Sequence, residues 1–383
     1  MRPWWVQLTR HYRRLRLLRD QRLVRIEGRG WEHVIDARRR GAGILIAPNH
    51  STHYDSEALY VTADRAGVPL YFMTAWQVFA MTGRLERWAM QRLGCFSIDR
   101  DAADRRAFGE ALRILSAEPH PLVVFPEGYI YHVSDRVTPF HDGAATVALA
   151  AARRGPRPIA IIPCGIKFSY LDDPLPSLRH VTDLLERRVG LRARGDLPLA
   201  RRVRRVMHVV LADCERRHGV APGGARLERR IDNLMQSILA RLEAAYGIAA
   251  RQTGAAHRAQ TLRSVILGSA AQGRSARGHH ETQQDLEALF LVAQLYSFCH
   301  SCLSRRVSPA QLAETIDKLE EDVLGSELPT VHGRRRVAVQ LDAPIMLDPC
   351  APQTRDAAAR LTRELELRVQ AVLTELHGRS VGV

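Results

Sequence analysis

The sequence predicts an α/β protein whose sheet domain is interrupted by a large helical insertion. Three observations carry this. Short apolar runs bounded by Gly or Pro stand at Gly41–Pro48, Pro121–Phe125 and Pro158–Pro163, and each reads as a buried strand. Helical stretches separate them, at Asp104–Ser116 and Gly143–Ala152, and strands alternating with helices indicate an α/β domain. From about 171 to 333 the strand patterns give way to continuous helical ones, and a strand pattern then returns at Arg335–Met346. An αβ pattern that stops and resumes points to an insertion rather than to two domains in tandem.

In chain order, the first forty residues come as one basic piece. They hold twelve Arg against four acidic residues. Trp5, Leu8, Tyr12, Leu15 and Leu18 recur at helical spacing, with Arg10, Arg13, Arg14 and Arg16 elsewhere on the wheel. An apolar stripe led by tryptophans and flanked by arginines suits a membrane interface, where rings sit at head-group depth and guanidinium groups meet phosphates. The other reading is a helix packed on its own domain. The αβ pattern then occupies 41–170, the helical insertion 171–333, and a closing strand and helix 334–383. Within the insertion, Leu199, Val203, Val206, Val210 and Cys214 form one stripe, and Ser308-Pro309 opens a helix with an N-cap and a Pro in its first turn. Val337, Val339 and Leu341 alternate with Ala338 and Gln340 in the closing strand, and Thr354–Leu376 reads as the final helix. No internal repeat is evident.

Composition narrows the function. The 383 residues are 46% hydrophobic and 25% charged, which describes a folded chain with a sizeable core. No run of about 18 apolar residues provides a spanning helix, and the Met-Arg-Pro-Trp-Trp start lacks the apolar core of a secretory signal. The net charge of +15 favours an anionic partner: phospholipid head groups, nucleic acid or a phosphorylated ligand. No nucleic-acid module is recognisable, so no nucleic-acid partner is expected. Six scattered cysteines imply no disulfide framework and fit a reducing compartment. Cys299-His-Ser-Cys302 lacks a second ligand pair, so buried small hydrophobes are favoured over a metal or redox site, and no metal is expected.

The residues with chemistry follow the first strand, in Asn49-His-Ser-Thr-His-Tyr-Asp55. On a regular helix His50 and Asp55, five apart, would diverge by about 140°. At a strand-to-loop corner they can converge. A carboxylate that accepts from one imidazole nitrogen fixes the tautomer and leaves the other nitrogen to take a proton from a hydroxyl. The same spacing recurs at His208/Asp213 and His280/Asp285, but those pairs lie in helical stretches without the strand and are read as coincidental. His53 competes with His50 for Asp55. Three further blocks follow: Gly94-Cys-Phe-Ser-Ile-Asp-Arg100, Phe125-Pro-Glu-Gly128 and Ile161-Ile-Pro-Cys-Gly165. An Arg and a Glu at strand ends, facing a His/Asp pair, could grip a polar head group beside a general base.

Together and in this order, the four blocks resemble the glycerolipid acyltransferase family typified by 1-acyl-glycerol-3-phosphate acyltransferase, the PlsC-like enzymes. The family pattern is N-H-x-x-x-x-D, G-x-x-x-I-D-R, F-P-E-G, then an apolar strand with a Pro. It stands here as Asn49-His50 with Asp55, Gly94 with Ile98-Asp99-Arg100, Phe125–Gly128, and Ile162-Pro163. The resemblance covers about 41–170 and resumes at 335–376. It implies a mixed β-sheet flanked by helices. It also implies transfer of a fatty acyl group from an acyl-CoA or acyl-carrier-protein thioester to a hydroxyl of a lysophospholipid or related glycerolipid. His50 would be the general base, oriented by Asp55. Asn49, Arg100, Glu127, Gly128 and Pro163 would bind substrate, with no cofactor beyond the thioester co-substrate. The implied location is peripheral, on the cytoplasmic face of an anionic membrane. Two departures stand out. Tyr129-Ile130 replace the small residue and Arg that usually follow F-P-E-G, with Arg136 as the substitute cation, and the helical insertion is large. A non-catalytic membrane-binding homologue and an acyl-thioester hydrolase are the rival readings. No G-x-S-x-G elbow supports the second.

Overall fold

The apolar runs do form the centre of a sheet. The computed structural model describes residues 1–99, 104–155, 157–223, 226–249, 254–271, 278–301, 307–347 and 356–381. In chain order the elements are α1 (Pro3–Asp20), β1 (Leu23–Arg29), α2 (Trp31–Arg39), β2 (Gly43–Pro48), α3 (Asp55–Arg65), β3 (Tyr71–Ala75), α4 (Trp76–Met81), α5 (Arg84–Arg92) and β4 (Cys95–Ile98). Then come α6 (Arg105–Ala117), β5 (Leu122–Val123), α7 (Gly143–Arg154) and β6 (Ile159–Tyr170). Six helices follow: α8 (Leu175–Arg188), α9 (Leu199–Arg217), α10 (Leu227–Ala245), α11 (Ala255–Ala271), α12 (His279–Ser301) and α13 (Pro309–Leu319). The chain closes with β7 (Arg335–Leu341), β8 (Ile345–Leu347) and α14 (Ala357–Val381).

The chain divides into two compact units. One comprises 1–130, 134–171 and 334–383, and the other 131–133 and 172–333. The first unit is built on one mixed eight-stranded sheet in the order β1-β7-β6-β2-β5-β3-β4, with β8 also on β6. Strands β6, β2, β5, β3 and β4 run parallel, and β7 meets β6 antiparallel. Alternation along β2 shows why the sheet is covered on both faces. Ile44 and Ile46 pack with α1, α2 and α3, whereas Leu45 and Ala47 pack with α6, α7 and α14. Both faces are therefore apolar, and the run reads as continuous rather than alternating.

Three expectations are corrected here. Residues 1–40 are not one amphipathic segment, because β1 pairs parallel with β7 and completes the sheet. Within α1 the stripe is real but its ends turn inward. Leu8, Tyr12 and Leu15 are exposed, Trp5 packs on Trp88, and Leu18 rests on the core. Arg13 is not at the surface either. Its guanidinium pairs with both Asp64 oxygens, at 2.6 and 2.7 Å, and lies over the Tyr60 ring. The closing strand is two strands, broken at Asp342-Ala343-Pro344 where Pro cannot donate to the ladder.

The second unit contains a repeat that the sequence alone did not reveal. Helices α9, α10 and α11 begin at 199, 227 and 255, a spacing of 28 residues. Arg202, Arg230 and Arg258 keep that spacing, and each pairs with the Glu that closes the preceding helix: Glu186, Glu215 and Glu243. Four residues after each Glu comes a glycine, Gly190, Gly219 or Gly247, with φ of 75°, 69° and 63°. There the next amide bonds back to the Glu carbonyl at 2.7–2.9 Å and ends the helix. The repeated positions are few, and in a chain with 54 arginines they do not stand out. Each pair sits at a helix–helix junction largely out of water, and in Arg230–Glu215 each charge depends on the other as its ion-pair partner.

Candidate active site

Strand β2 ends at Pro48, and the chain turns immediately. Asn49 fixes that turn: its side-chain amide donates to the Ile166 carbonyl at 3.1 Å and accepts from the Ile166 amide at 2.7 Å. This sews the exit of β2 to the neighbouring strand β6. His50 follows at the carboxyl end of the sheet, and Asp55 opens α3.

Asp55 is fully buried and heavily solvated by the protein. Its Oδ2 accepts from His50 Nδ1 at 3.1 Å, from the Ser51 amide at 2.6 Å and from the Thr52 amide at 2.8 Å. Its Oδ1 accepts from the Ser51 and Thr52 hydroxyls at 3.4 and 3.2 Å. These donors, at the first turn of α3, hold both carboxylate oxygens in place. Of the two histidines, His50 is the one whose ring nitrogen meets Asp55. Its ring also stacks on Phe125, with centroids 4.1 Å apart. Nδ1 is thus committed to the carboxylate, which places the reactive lone pair on Nε2. The His50 side chain is 18% exposed, whereas that of Asp55 is fully buried.

Glu127, at the carboxyl end of β5, reaches the same loop. Its Oε1 accepts from the His50 backbone amide at 2.8 Å, and its Oε2 accepts from the Thr138 amide at 3.2 Å and contacts the Thr138 hydroxyl. Burial pushes its carboxyl up to about 8. Gly128 makes the turn possible. Its φ is 76°, and a Cβ there would lie 2.9 Å from the His141 ring.

Three residues expected to bind substrate therefore face inward. Asn49 and Glu127 are buried at 0% and 1%, with their polar groups spent on the loop itself, and they brace His50. Pro163 lies inside the sheet beside Ala47, between the stretch of β6 that pairs with β8 and the stretch that pairs with β7, where no amide donor is needed. Arg100 lies outside the described residues.

Residues 29–167 match the family model described as Acyltransferase. Residues 29–167 form an acyltransferase domain. The match begins at the end of β1 and closes within β6, so it spans the four motif blocks and leaves out α1 and the whole helical insertion. A search of curated proteins returns no match.

The groups of the other candidate pairs have other partners. His208 bonds Arg230, Asp213 pairs with Arg216 and Arg217, and Asp285 accepts from Tyr246. In the second unit His332, Asp317 and Glu320 bring ligand atoms within 4.8 Å of one another. That group is already a closed network. His332 bridges Ser177 and Asp317 at 2.9 Å each, and Glu320 accepts twice from Thr330. The Cys299 side chain and Cys302 lie outside the described residues. Sequence reasoning missed Phe125 as the ring beneath His50 and Thr138 as the partner of Glu127. Phe125 was within reach, because it adjoins the Pro-Glu-Gly block. Thr138 was not, since nothing in the sequence links it to a residue eleven positions earlier.

Proposed function

We propose that the protein transfers a fatty acyl group from an acyl-CoA or acyl-carrier-protein thioester to a hydroxyl of a lysophospholipid or related glycerolipid. The observation that carries this reading is the buried Asp55 carboxylate on His50 Nδ1, with the His50 side chain itself partly exposed. His50 Nε2 takes the proton of the acceptor hydroxyl. The resulting oxygen nucleophile attacks the thioester carbonyl, and the tetrahedral intermediate collapses with cleavage of the C–S bond. The departing thiolate recovers the proton from the imidazolium, so protons balance over the cycle. Asp55 orients the ring and stabilises the transient cation.

Asn49 and Glu127 act as positioning residues in this scheme, since each holds the loop that carries His50. The phosphate of an acidic acceptor needs a cation, and Arg100 and Arg136 are the proposed contributors. Arg136 stands two residues before Thr138, which bonds Glu127. Among the described residues no helix is long and apolar enough to cross a membrane. A peripheral mode through α1 is supported by its geometry. At 100° per residue, exposed Trp4, Leu8, Tyr12 and Leu15 fall within a sector of about 80°, opposite buried Val6 and Leu17. The test is product analysis with a panel of lysolipids: a new ester on the acceptor supports transfer, and free fatty acid formed at the same rate without acceptor supports hydrolysis.

A further inference from the structure

The charge and exposure of one more segment extend this reading. Helices α4 and α5 come between β3 and β4 and carry an apolar surface that is exposed among the described residues. Met81 is 68% exposed and Leu85 79%, with Trp76 at 46% and Val78 at 41%. Among the described residues, α5 buries none of its nine. Isolated exposed apolar residues are ordinary, but a cluster of this size on two successive helices marks a contact surface.

Three features say what covers it. First, the patch continues into α1 through aromatic rings. Exposed Trp4 packs edge-on against Trp5 at 5.7 Å, and Trp5 against Trp88 of α5 at 5.1 Å. The Arg2 amide also donates to the Arg92 carbonyl at 2.9 Å, so the start of α1 is tied to the end of α5. Second, the charge is one-sided. Residues 1–19 hold six Arg and no acid, and 76–92 hold Arg84, Arg87 and Arg92 against Glu86 alone. Third, the turn between α4 and α5 is built rather than loose. Arg87 donates to the Phe79 and Thr82 carbonyls at 3.0 and 3.3 Å, which closes the end of α4 and fixes the two helices together.

The sheet register places this patch beside the catalytic loop. Ile46 of β2 and Phe72 of β3 both pair with Val123 of β5. Strand β2 ends at Pro48, two residues before His50, and β3 ends at Ala75, directly before Trp76. Both leave the sheet at its carboxyl end.

We propose that α4–α5, joined to α1 by the Trp4–Trp5–Trp88 row, docks on an anionic lipid surface and thereby brings the catalytic end of the sheet to the lipid interface. Tryptophan rings and Met81 and Leu85 enter the head-group boundary, and the arginines meet phosphates. A lipid acceptor then passes from the membrane to His50 without crossing bulk water. This part rests on the lipid-acceptor reading, whereas the docking itself does not.

The experiment compares wild type with Met81→Asp/Leu85→Asp, a pair that takes no part in the hydrogen bonds of the His50 loop described above. Co-sedimentation is measured with phosphatidylcholine vesicles and with mixed phosphatidylcholine–phosphatidylglycerol vesicles. Circular dichroism and light scattering check fold and oligomeric state. Wild type is expected to bind the mixed vesicles more tightly than the neutral ones. Losing two inserted side chains weakens that binding by about 100-fold or more. Turnover of a vesicle-borne lysolipid falls with it, while turnover of a short water-soluble acyl thioester is unchanged. Undiminished binding by the double variant overturns the proposal. So does equal binding of wild type to neutral vesicles, or a lipid-free dimer that the double variant converts to monomer, which would make the patch a self-interface. If no acyl transfer is found for wild type, the binding comparison still decides the docking surface.

Discussion

Replacing Glu127 by Gln removes a pH dependence built into the first unit. The Glu127 carboxyl is buried beside the His50 amide, and burial raises it from 4.5 to about 8. Between those limits the folded state holds a proton that the unfolded chain has released. Stability is therefore full below about pH 4.5 and is lost as pH rises through about 8. The slope is about 1.4 kcal/mol per pH unit, and the whole window amounts to roughly 5 kcal/mol. The amide of Glu127→Gln keeps the shape and does not titrate, so this slope vanishes in the variant. All five tryptophans lie in the first unit, so urea unfolding followed by tryptophan fluorescence reports on it alone. Measured from about pH 5 to about pH 8, the stability of wild type relative to the variant should fall by about 1.4 kcal/mol per unit. Parallel curves for the two proteins would refute the reasoning, because they would mean that Glu127 titrates alike folded and unfolded.

Other outcomes follow from the same contacts. Asp55→Asn keeps the size of the side chain but loses the charge that supports the His50 imidazolium, so kcat should fall by about 100- to 10,000-fold at little change in KM. Gly128→Ala must hold φ near 76° and crowd His141, which costs about 1–2 kcal/mol of backbone strain in chemical denaturation. It should also lower turnover by displacing Glu127. Glu215→Ala leaves Arg230 buried without its carboxylate, and should cost about 3–5 kcal/mol in the helical unit, read by circular dichroism at 222 nm.

The legible parts of the fold were those where local pattern and tertiary role agree. The runs at β2, β5 and β6 are buried on both faces, so their composition alone marks them. Strand β1 was illegible because only Leu23 and Ile26 are buried in it, and its Arg and Glu residues blend into a basic segment. Strand β4 has no fully buried residue and gave no apolar run. Helices α4 and α5 were missed because of their apolar residues only Phe79 is buried, which leaves no core-facing period. In the site, His50, Asp55 and the Phe125–Gly128 block were legible from order and context. Which way Glu127 and Asn49 turn was not, since the same residues could face a ligand or brace a loop. That choice is made by Ile166 and Thr138, 117 and 11 residues away from them in the chain.

The central claim is that His50, held by Asp55, activates the acceptor hydroxyl. The most direct test is thiol release from long-chain acyl-CoA on anionic vesicles, with and without lysophosphatidic acid, for wild type and His50→Ala. The account predicts acceptor-dependent release that the substitution lowers by at least about 100-fold, with the folded spectrum retained. Equal release by the two proteins would contradict it.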